Sequence, residues 1–390
     1  MYEGKILFAQ IMEYIPRKAF DNAIARYHGG YKVQDFSCKD QFLAMAFAQI
    51  TLRTSLRGIE NTLRVNGSLL YHMGFRCETI SRSTLAKANE NRPWQIYAEL
   101  AQRLMRKAQE LYVNEKLVVD IDARIFALDS TTINLCLERF SWALYREDDG
   151  AVKMHVLLDL RGNIPDFIVI SDGKTHDVNI LDEMDYLAGA FYIVDRGYVD
   201  FKRLFRLHQS GAFFVTLAKH GIRFRVAESR SVDKDSGILC DQTIRLTSAT
   251  SHKNYPERLR RIKYRDLDTG KVLVFLTNNF LLPAKAITEL YKQRWQVELF
   301  FKWIKQHLRI KVFYGYSENA VRTQLWVAVA VYCLLAIIKK KLGGDRELHE
   351  IQEILSASIF QKIPLLQAFS NTEVKTNQHR AYNYPSLFEL

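Results

Sequence analysis

One carboxylate, Glu298, stands among cations in the run Tyr291-Lys292-Gln293-Arg294-Trp295-Gln296-Val297-Glu298, which continues through Lys302 and Lys305. At roughly 100° per residue, Tyr291, Arg294, Glu298, Lys302, Lys305 and Arg309 share a sector of about 80° on one continuous helix. Two chemistries suit that face. It can be a solvated surface on which Arg294–Glu298 and Glu298–Lys302 pair at i,i+4, each pair contributing about 0.2–0.5 kcal/mol. Alternatively, the acid holds a divalent metal while its neighbours grip a phosphate backbone, which requires two more carboxylates from elsewhere in the chain.

Strand ends are where a rigid sheet can hold such carboxylates. Arg124-Ile125-Phe126-Ala127-Leu128 runs into Asp129, followed by Ser130-Thr131-Thr132, and Ala190-Phe191-Tyr192-Ile193-Val194 runs into Asp195, followed by Arg196-Gly197-Tyr198. Each reads as a short buried strand that stops on an aspartate and gives way to turn chemistry. Either aspartate alone could be a turn former or a helix N-cap. Taken together, the order strand-Asp, strand-Asp, basic-helix-Glu is the one expected of a ribonuclease-H-like fold.

The residues Asp129-Ser130-Thr131, Asp195-Arg196-Gly197-Tyr198 and the spacing Tyr-x2-Arg-x3-Glu-x6-Lys at Tyr291, Arg294, Glu298 and Lys305 resemble the signatures of bacterial insertion-sequence DDE transposases, specifically the insertion-sequence-four family. The resemblance covers about residues 116 to 340. It implies an enzyme that binds the terminal inverted repeats of a mobile element, cleaves the ends by metal-dependent hydrolysis and joins the freed 3′-hydroxyl to target DNA. It further implies that Asp129, Asp195 and Glu298 hold two Mg²⁺ ions, for which Mn²⁺ could substitute. Tyr291, Arg294 and Lys305 would contact phosphates near the element end, with Lys302 beside them, and the chain would act as a homodimer on double-stranded DNA. Some relatives cut the second strand through a DNA hairpin and stack a flipped base on a tryptophan of a β-rich insertion. No tryptophan occurs between residues 219 and 281, so Tyr255 or Tyr264 would take that place or the step would differ.

The elements that must position these residues can be read along the chain. Residues from about 4 to 112 show helical periodicity, clearest over Lys39–Ile50, with another helix starting near Leu56. Ser81 or Ser83 can cap a short helix offering Arg82, Lys87, Asn89 and Arg92 on its exposed side, a pattern that resembles a DNA recognition helix. Lys153–Asp159 and Phe167–Ser171 flank the turn Leu160-Arg161-Gly162-Asn163 as a hairpin beside the Asp129 strand. A helix capped at Thr175-His176-Asp177 is expected to run to about Leu187, before the Asp195 strand, a further helix and the strand Ala212–Leu217. From about 219 to 281, segments that alternate apolar with basic or polar residues read as strands of an inserted sheet. The expected architecture is therefore α/β: a ribonuclease-H-like mixed sheet with helices, interrupted by a β-rich insertion and preceded by an all-α N-terminal domain. The corresponding divisions are 1–115 for the helical DNA-binding domain, 116–218 and 282–345 for the two parts of the catalytic core, 219–281 for the insertion and 346–390 for a C-terminal helical tail.

Composition agrees with these expectations. The 390 residues are 48% hydrophobic, enough for a sizeable core in two or three domains, and a net charge of +12 points to a polyanionic partner. The five cysteines, Cys38, Cys77, Cys136, Cys240 and Cys333, are isolated and odd in number. They argue against a zinc site or a disulfide framework and for buried thiols in a reducing bacterial cytoplasm. No secretory leader is expected, and the apolar run Leu325–Ile338 is too short to span a bilayer, so it reads as a core helix packed on the sheet, with no membrane role. His155 and His176 read as structural rather than as general bases. Two alternatives use the same residues: an inactive or domesticated DNA-binding regulator, and a two-metal nuclease without strand transfer. A two-carboxylate glycosidase would explain neither the basic helix nor the charge.

Overall fold

The computed structural model describes residues 4–117, 119, 121–145, 149–308, 310, 312–343 and 346–370. Arg309, and the part of the expected tail beyond residue 370, lie outside the described residues. The N-terminal region is helical: α1 (Leu7–Met12), α2 (Arg17–Arg26), α3 (Cys38–Ile50), α4 (Leu56–Val65), α5 (Leu70–Met73), α6 (Arg82–Asn91) and α7 (Gln95–Tyr112). Strands and helices then alternate as β1 (Ile125–Leu135), β2 (Gly150–Asp159), β3 (Ile164–Asp172), β4 (Phe191–Val194), α8 (Phe201–Gln209), β5 (Phe213–Leu217), β6 (Phe224–Arg230), β7 (Ile238–Leu246), α9 (Ala249–Asn254), β8 (Leu259–Arg265) and β9 (Val272–Thr277). The remaining elements are α10 (Ala284–Lys292), α11 (Trp295–His307), α12 (Glu318–Leu342), α13 (Leu348–Ser358) and α14 (Leu365–Ser370). Among the described residues two compact units result, one formed by residues within 4–113, 133–152 and 300–370, the other by residues within 114–132 and 153–299.

The second unit is built on a mixed sheet in the order β3-β2-β1-β4-β5-β9-β8-β7-β6. Its centre is parallel: β1 pairs with β4 and β4 with β5. All four residues of β4 are buried, as expected of a strand covered on both faces. Alternate residues serve opposite faces: Phe191 and Ile193 pack with Ile287 and Leu290 of α10, whereas Tyr192 and Val194 pack with Leu204 and Leu207 of α8. The tight return from β2 to β3 relies on left-handed backbone at Gly162 and Asn163, a conformation that glycine and asparagine tolerate.

The strands after residue 219 are where the sequence placed them, but they form no sheet of their own. β9 pairs antiparallel with β5 through Val215↔Thr277 to Leu217↔Phe275, so β9, β8, β7 and β6 extend the same sheet. Asn278 explains the join. Its side chain accepts a hydrogen bond from the Phe214 amide at 2.9 Å and donates one to the Ala212 carbonyl at 2.8 Å, continuing the ladder past the end of β9. The outer strand β6 is largely exposed, with Arg225 and Glu228 among its side chains, a charged edge of the kind that discourages pairing with other chains.

The helix expected from Thr175 to Leu187 is reduced to a 3₁₀ segment at Asp177–Asp182. Tertiary bonds consume the groups that a longer helix would use: the Leu187 amide donates to the Tyr192 hydroxyl at 2.9 Å, and the Tyr186 hydroxyl donates to the Leu181 carbonyl at 2.8 Å.

In the first unit, α12 runs for 25 residues, longer than the apolar core read from the sequence. By length and composition alone it could cross a membrane, yet 94% of its most apolar window is buried inside the protein. It packs along α7, α3, α6 and α13. Tyr112 of α7 donates to the Ala336 carbonyl at 2.9 Å, and the Tyr332 ring meets Phe300 edge-on at 4.9 Å. Each large apolar side chain buried there contributes about 1.5–3 kcal/mol, which explains why α12 is enclosed by helices within its own unit. The expected core segment 282–345 is thus divided, with the boundary between Leu299 and Phe300.

Candidate active site

Asp129 does not end its strand. β1 continues to Leu135, but its pairing with β4 stops at Leu128↔Val194. Asp129 and Asp195 are therefore the residues that directly follow the last paired positions of two adjacent parallel strands. This is the carboxyl end of the parallel strands, where α/β sheets commonly carry their sites. Asp195 also caps the short 3₁₀ turn Arg196–Tyr198, accepting from the Gly197 amide at 3.2 Å. The capping and the chemical readings of this residue are thus compatible.

The basic run is not one helix. α10 ends at Lys292 and α11 begins at Trp295, and the junction is held by tightened i→i+3 bonds, Gln293 to Leu290 and Arg294 to Tyr291, both 3.0 Å. The uniform 100° rotation fails across this junction. Tyr291 consequently turns into the core, 1% exposed, with its ring 5.2 Å from that of Phe275 and its hydroxyl donating to Asp195 Oδ1 at 3.4 Å. Arg294 lies in the junction itself. Its guanidinium Nη1 donates to Asp129 Oδ2 at 3.0 Å and its Nη2 contacts Glu298 Oε1 at 2.6 Å. The i,i+4 pair with Glu298 exists, but the same arginine also reaches across to Asp129, which a surface ion pair would not do.

Charge is concentrated here away from water. Burial pushes Asp129 up to about 6, Glu298 and Asp195 push it the same way, and Arg294 and the Ser130 amide oppose them. Burial also raises Glu298, with Asp195 adding to the effect and Arg294 working against it. Burial raises the Tyr291 and Tyr198 hydroxyls, so both remain protonated donors. Tyr198 is 3% exposed, and Asp129 adds to the rise in its pKa that burial causes, while Ser130 beside it works the other way. The sequence pointed to Tyr198 only as part of the motif after Asp195; its burial beside both aspartates could not be read there.

The three carboxylates offer hard oxygen donors suited to a divalent cation such as Mg²⁺. Among the described residues, however, no three His, Cys, Asp or Glu side chains converge closely enough to hold a metal ion. Arg294 already engages one oxygen each of Asp129 and Glu298.

Other expected residues are distributed as follows. Lys302 and Lys305 follow Glu298 by four and seven residues on α11, Lys302 exposed and Lys305 half-buried. Arg82 and Lys87 are exposed on α6, which Ser81 caps by accepting from the Thr84 amide. Asn89 and Arg92 are not available surface groups: Asn89 is 1% exposed and accepts from Gln41, and Arg92 donates to the carbonyls of Ser37 and Phe36. Tyr255 and Tyr264 are both buried in core clusters, so neither ring has a face open to a base. His155 is fully buried against Ser171 at 2.9 Å. Of the cysteines, Cys38, Cys77 and Cys333 are buried, while Cys136 is exposed, contrary to expectation.

The transposase DDE domain family matches residues 120–334, and a second family, described as Domain of unknown function (DUF4372), matches residues 3–76. The chain is 36% identical to the transposase y4zB of Sinorhizobium fredii over 65% of its length and 70% of that protein. It is 29% identical to the transposase of insertion sequence element IS5377 from Geobacillus stearothermophilus, over 65% of this chain and 66% of that one. With the transposase for insertion sequence element IS4SA of Synechocystis it shares 24% identity over 90% of this chain and 94% of that one. A solved piggyBac transposase synaptic complex with hairpin DNA aligns at 9% identity and a TM-score of 0.45, over 97% of this chain and 83% of that one; at this level the likeness bears on neither fold nor activity. The matched span contains Asp129, Asp195, Arg294 and Glu298, and the chain belongs to the transposase DDE domain family as an enzyme of the DDE transposase type.

Proposed function

We propose that this transposase acts on the terminal inverted repeats of an insertion sequence of the insertion-sequence-four type, through a ribonuclease-H-like core whose carboxylates are Asp129, Asp195 and Glu298. Membership in the DDE domain family implies dependence on a divalent metal, and Mg²⁺ is the ion we assign. The observation that supports the reading is that the parallel pairing of β1 with β4 runs to Leu128↔Val194, the residues just before Asp129 and Asp195, while Arg294 ties Glu298 to Asp129. The order of three strands, β4, α8, β5 and later α10 and α11 supports the ribonuclease-H-like assignment.

Asp129, Asp195 and Glu298 would hold the ions. When bound, two such ions supply Lewis-acid stabilisation to the attacking and leaving oxygens of a phosphodiester. Water attacks phosphorus at the element end, the bond to the 3′-oxygen breaks, and a 3′-hydroxyl and a 5′-phosphate result. That hydroxyl then attacks a target phosphodiester, displacing the target 3′-oxygen and forming the new strand junction. Tyr291 acts through Asp195, whose Oδ1 its hydroxyl holds. Arg294, Lys302 and Lys305 serve as phosphate contacts beside the scissile bond, and Arg82 and Lys87 of α6 contribute to recognition of the terminal repeat. The active species is a homodimer on DNA.

The test is cleavage of a terminal-repeat duplex with Mg²⁺ by Asp129→Ala, Asp195→Ala and Glu298→Ala, alongside gel-shift binding of the same duplex. Each variant should lose cleavage and keep end binding. Near-normal cleavage by any one of them removes that residue from the metal site. Cleaved ends that never join to target DNA would instead favour a two-metal nuclease.

A further inference from the structure

We infer that Arg294 is an internal counter-cation that closes the carboxylate site to metal until DNA draws it away, so that metal loading depends on DNA engagement. This inference rests on the metal-site reading proposed above. Its ground is that the guanidinium contacts Asp129 Oδ2 at 3.0 Å and Glu298 Oε1 at 2.6 Å, oxygens that a divalent ion would need.

A guanidinium keeps its charge at all relevant pH values and engages two carboxylates at once through its fixed fork. A Mg²⁺ ion would require oxygen ligands at about 2.0–2.1 Å, so it competes for the same lone pairs and is repelled by the guanidinium beside them. The closed arrangement agrees with the finding that no three described acids or histidines now converge on one point. It also leaves an unmet demand: Arg294 Nε is buried without a hydrogen-bond partner among the described residues. Two carboxylates therefore do not satisfy this side chain completely. A backbone phosphate, which the guanidinium can engage through two parallel N–H···O bonds and which the substrate brings, offers it another partner.

Position strengthens the argument. Arg294 stands in the break between α10 and α11 rather than within a regular helix, where the i→i+3 bonds of a short irregular turn hold the backbone. Moving the guanidinium needs rotation about side-chain bonds and no unwinding of a helix. Asp195 is held separately, by Tyr291 and the Gly197 amide, and so stays in place while the other two carboxylates are released.

The experiment uses the full chain, with Mn²⁺ as the probe, its binding followed by electron paramagnetic resonance with and without a terminal-repeat duplex. Without DNA, Arg294→Gln should bind Mn²⁺ at least about fivefold more tightly than wild type, the lower range of an ordinary coupling between sites. Wild type should gain affinity on adding the duplex, and Arg294→Gln should gain much less. Arg294→Lys, which keeps the charge but lacks the fork, should lie between them and serves as the readout if the glutamine variant does not fold. Mn²⁺ affinity that is unchanged or weaker in the DNA-free variants overturns the inference. The parent reading fails differently: Mn²⁺ binding and cleavage would then persist in Asp129→Ala and Glu298→Ala, whatever Arg294 does.

Discussion

Asp129→Asn should stabilise the protein while abolishing its chemistry, and the size and pH dependence of the gain can be worked out. The Asp129 carboxyl is raised in the fold from its ordinary 3.8 to about 6, chiefly by burial. Below pH about 4 it is protonated in both folded and unfolded chains, so its ionisation costs nothing. As the pH rises to about 6 the unfolded chain releases the proton while the folded one retains it, and stability falls; above about 6 the penalty is complete. At about 1.4 kcal/mol per pH unit, a rise of about two units corresponds to roughly 3 kcal/mol. Asparagine avoids the ionisation and retains an oxygen for Arg294, so a net gain of about 1–3 kcal/mol is expected at pH 7–8. Urea denaturation in EDTA at intervals from pH 4 to pH 8 would measure it. The gap between variant and wild type should open between pH about 4 and 6 and then stay level. A variant less stable than wild type at pH 8, or a gap that does not change across this range, would refute the reasoning that burial of a charged carboxylate is tolerated here for function.

Two further outcomes follow from the packing and the surface. Asn278→Ala deprives the Phe214 amide and the Ala212 carbonyl of their partner at the β5–β9 join, and should cost about 2–4 kcal/mol in urea denaturation, since both groups are buried. Lys302→Gln alters an exposed position on α11, so stability should change by less than about 0.5 kcal/mol, while the salt slope of terminal-repeat binding should fall by about one if this lysine meets a phosphate. A fluorescence titration over several salt concentrations reads that slope.

The sequence by itself determined most of the secondary structure and pointed to the family. Helical periodicity placed α3 and the capped α6, and buried runs such as Phe191–Val194 fixed the strands, because short-range patterning records which face a residue must bury. The motif order after Asp129 and Asp195 and the spacing around Glu298 carried the family, which the match over residues 120–334 establishes. Long-range partners were beyond its reach. Nothing local says that the alternating strands after residue 219 would join the core sheet, because Asn278 bonds to residues more than sixty positions away. Nor could an apolar helix announce that it would pack on α7, since apolar burial has no direction. The helical wheel grouped Tyr291 with Arg294 and Glu298 but could not show that a tightened turn at Arg294 breaks the helix, or that Tyr291 is buried with its hydroxyl on Asp195. Tertiary structure alone decided the feature with the largest consequence: an arginine that the sequence shows beside one acid at i,i+4 is held by a second acid 165 residues away, because a buried charge is costly unless it is paired.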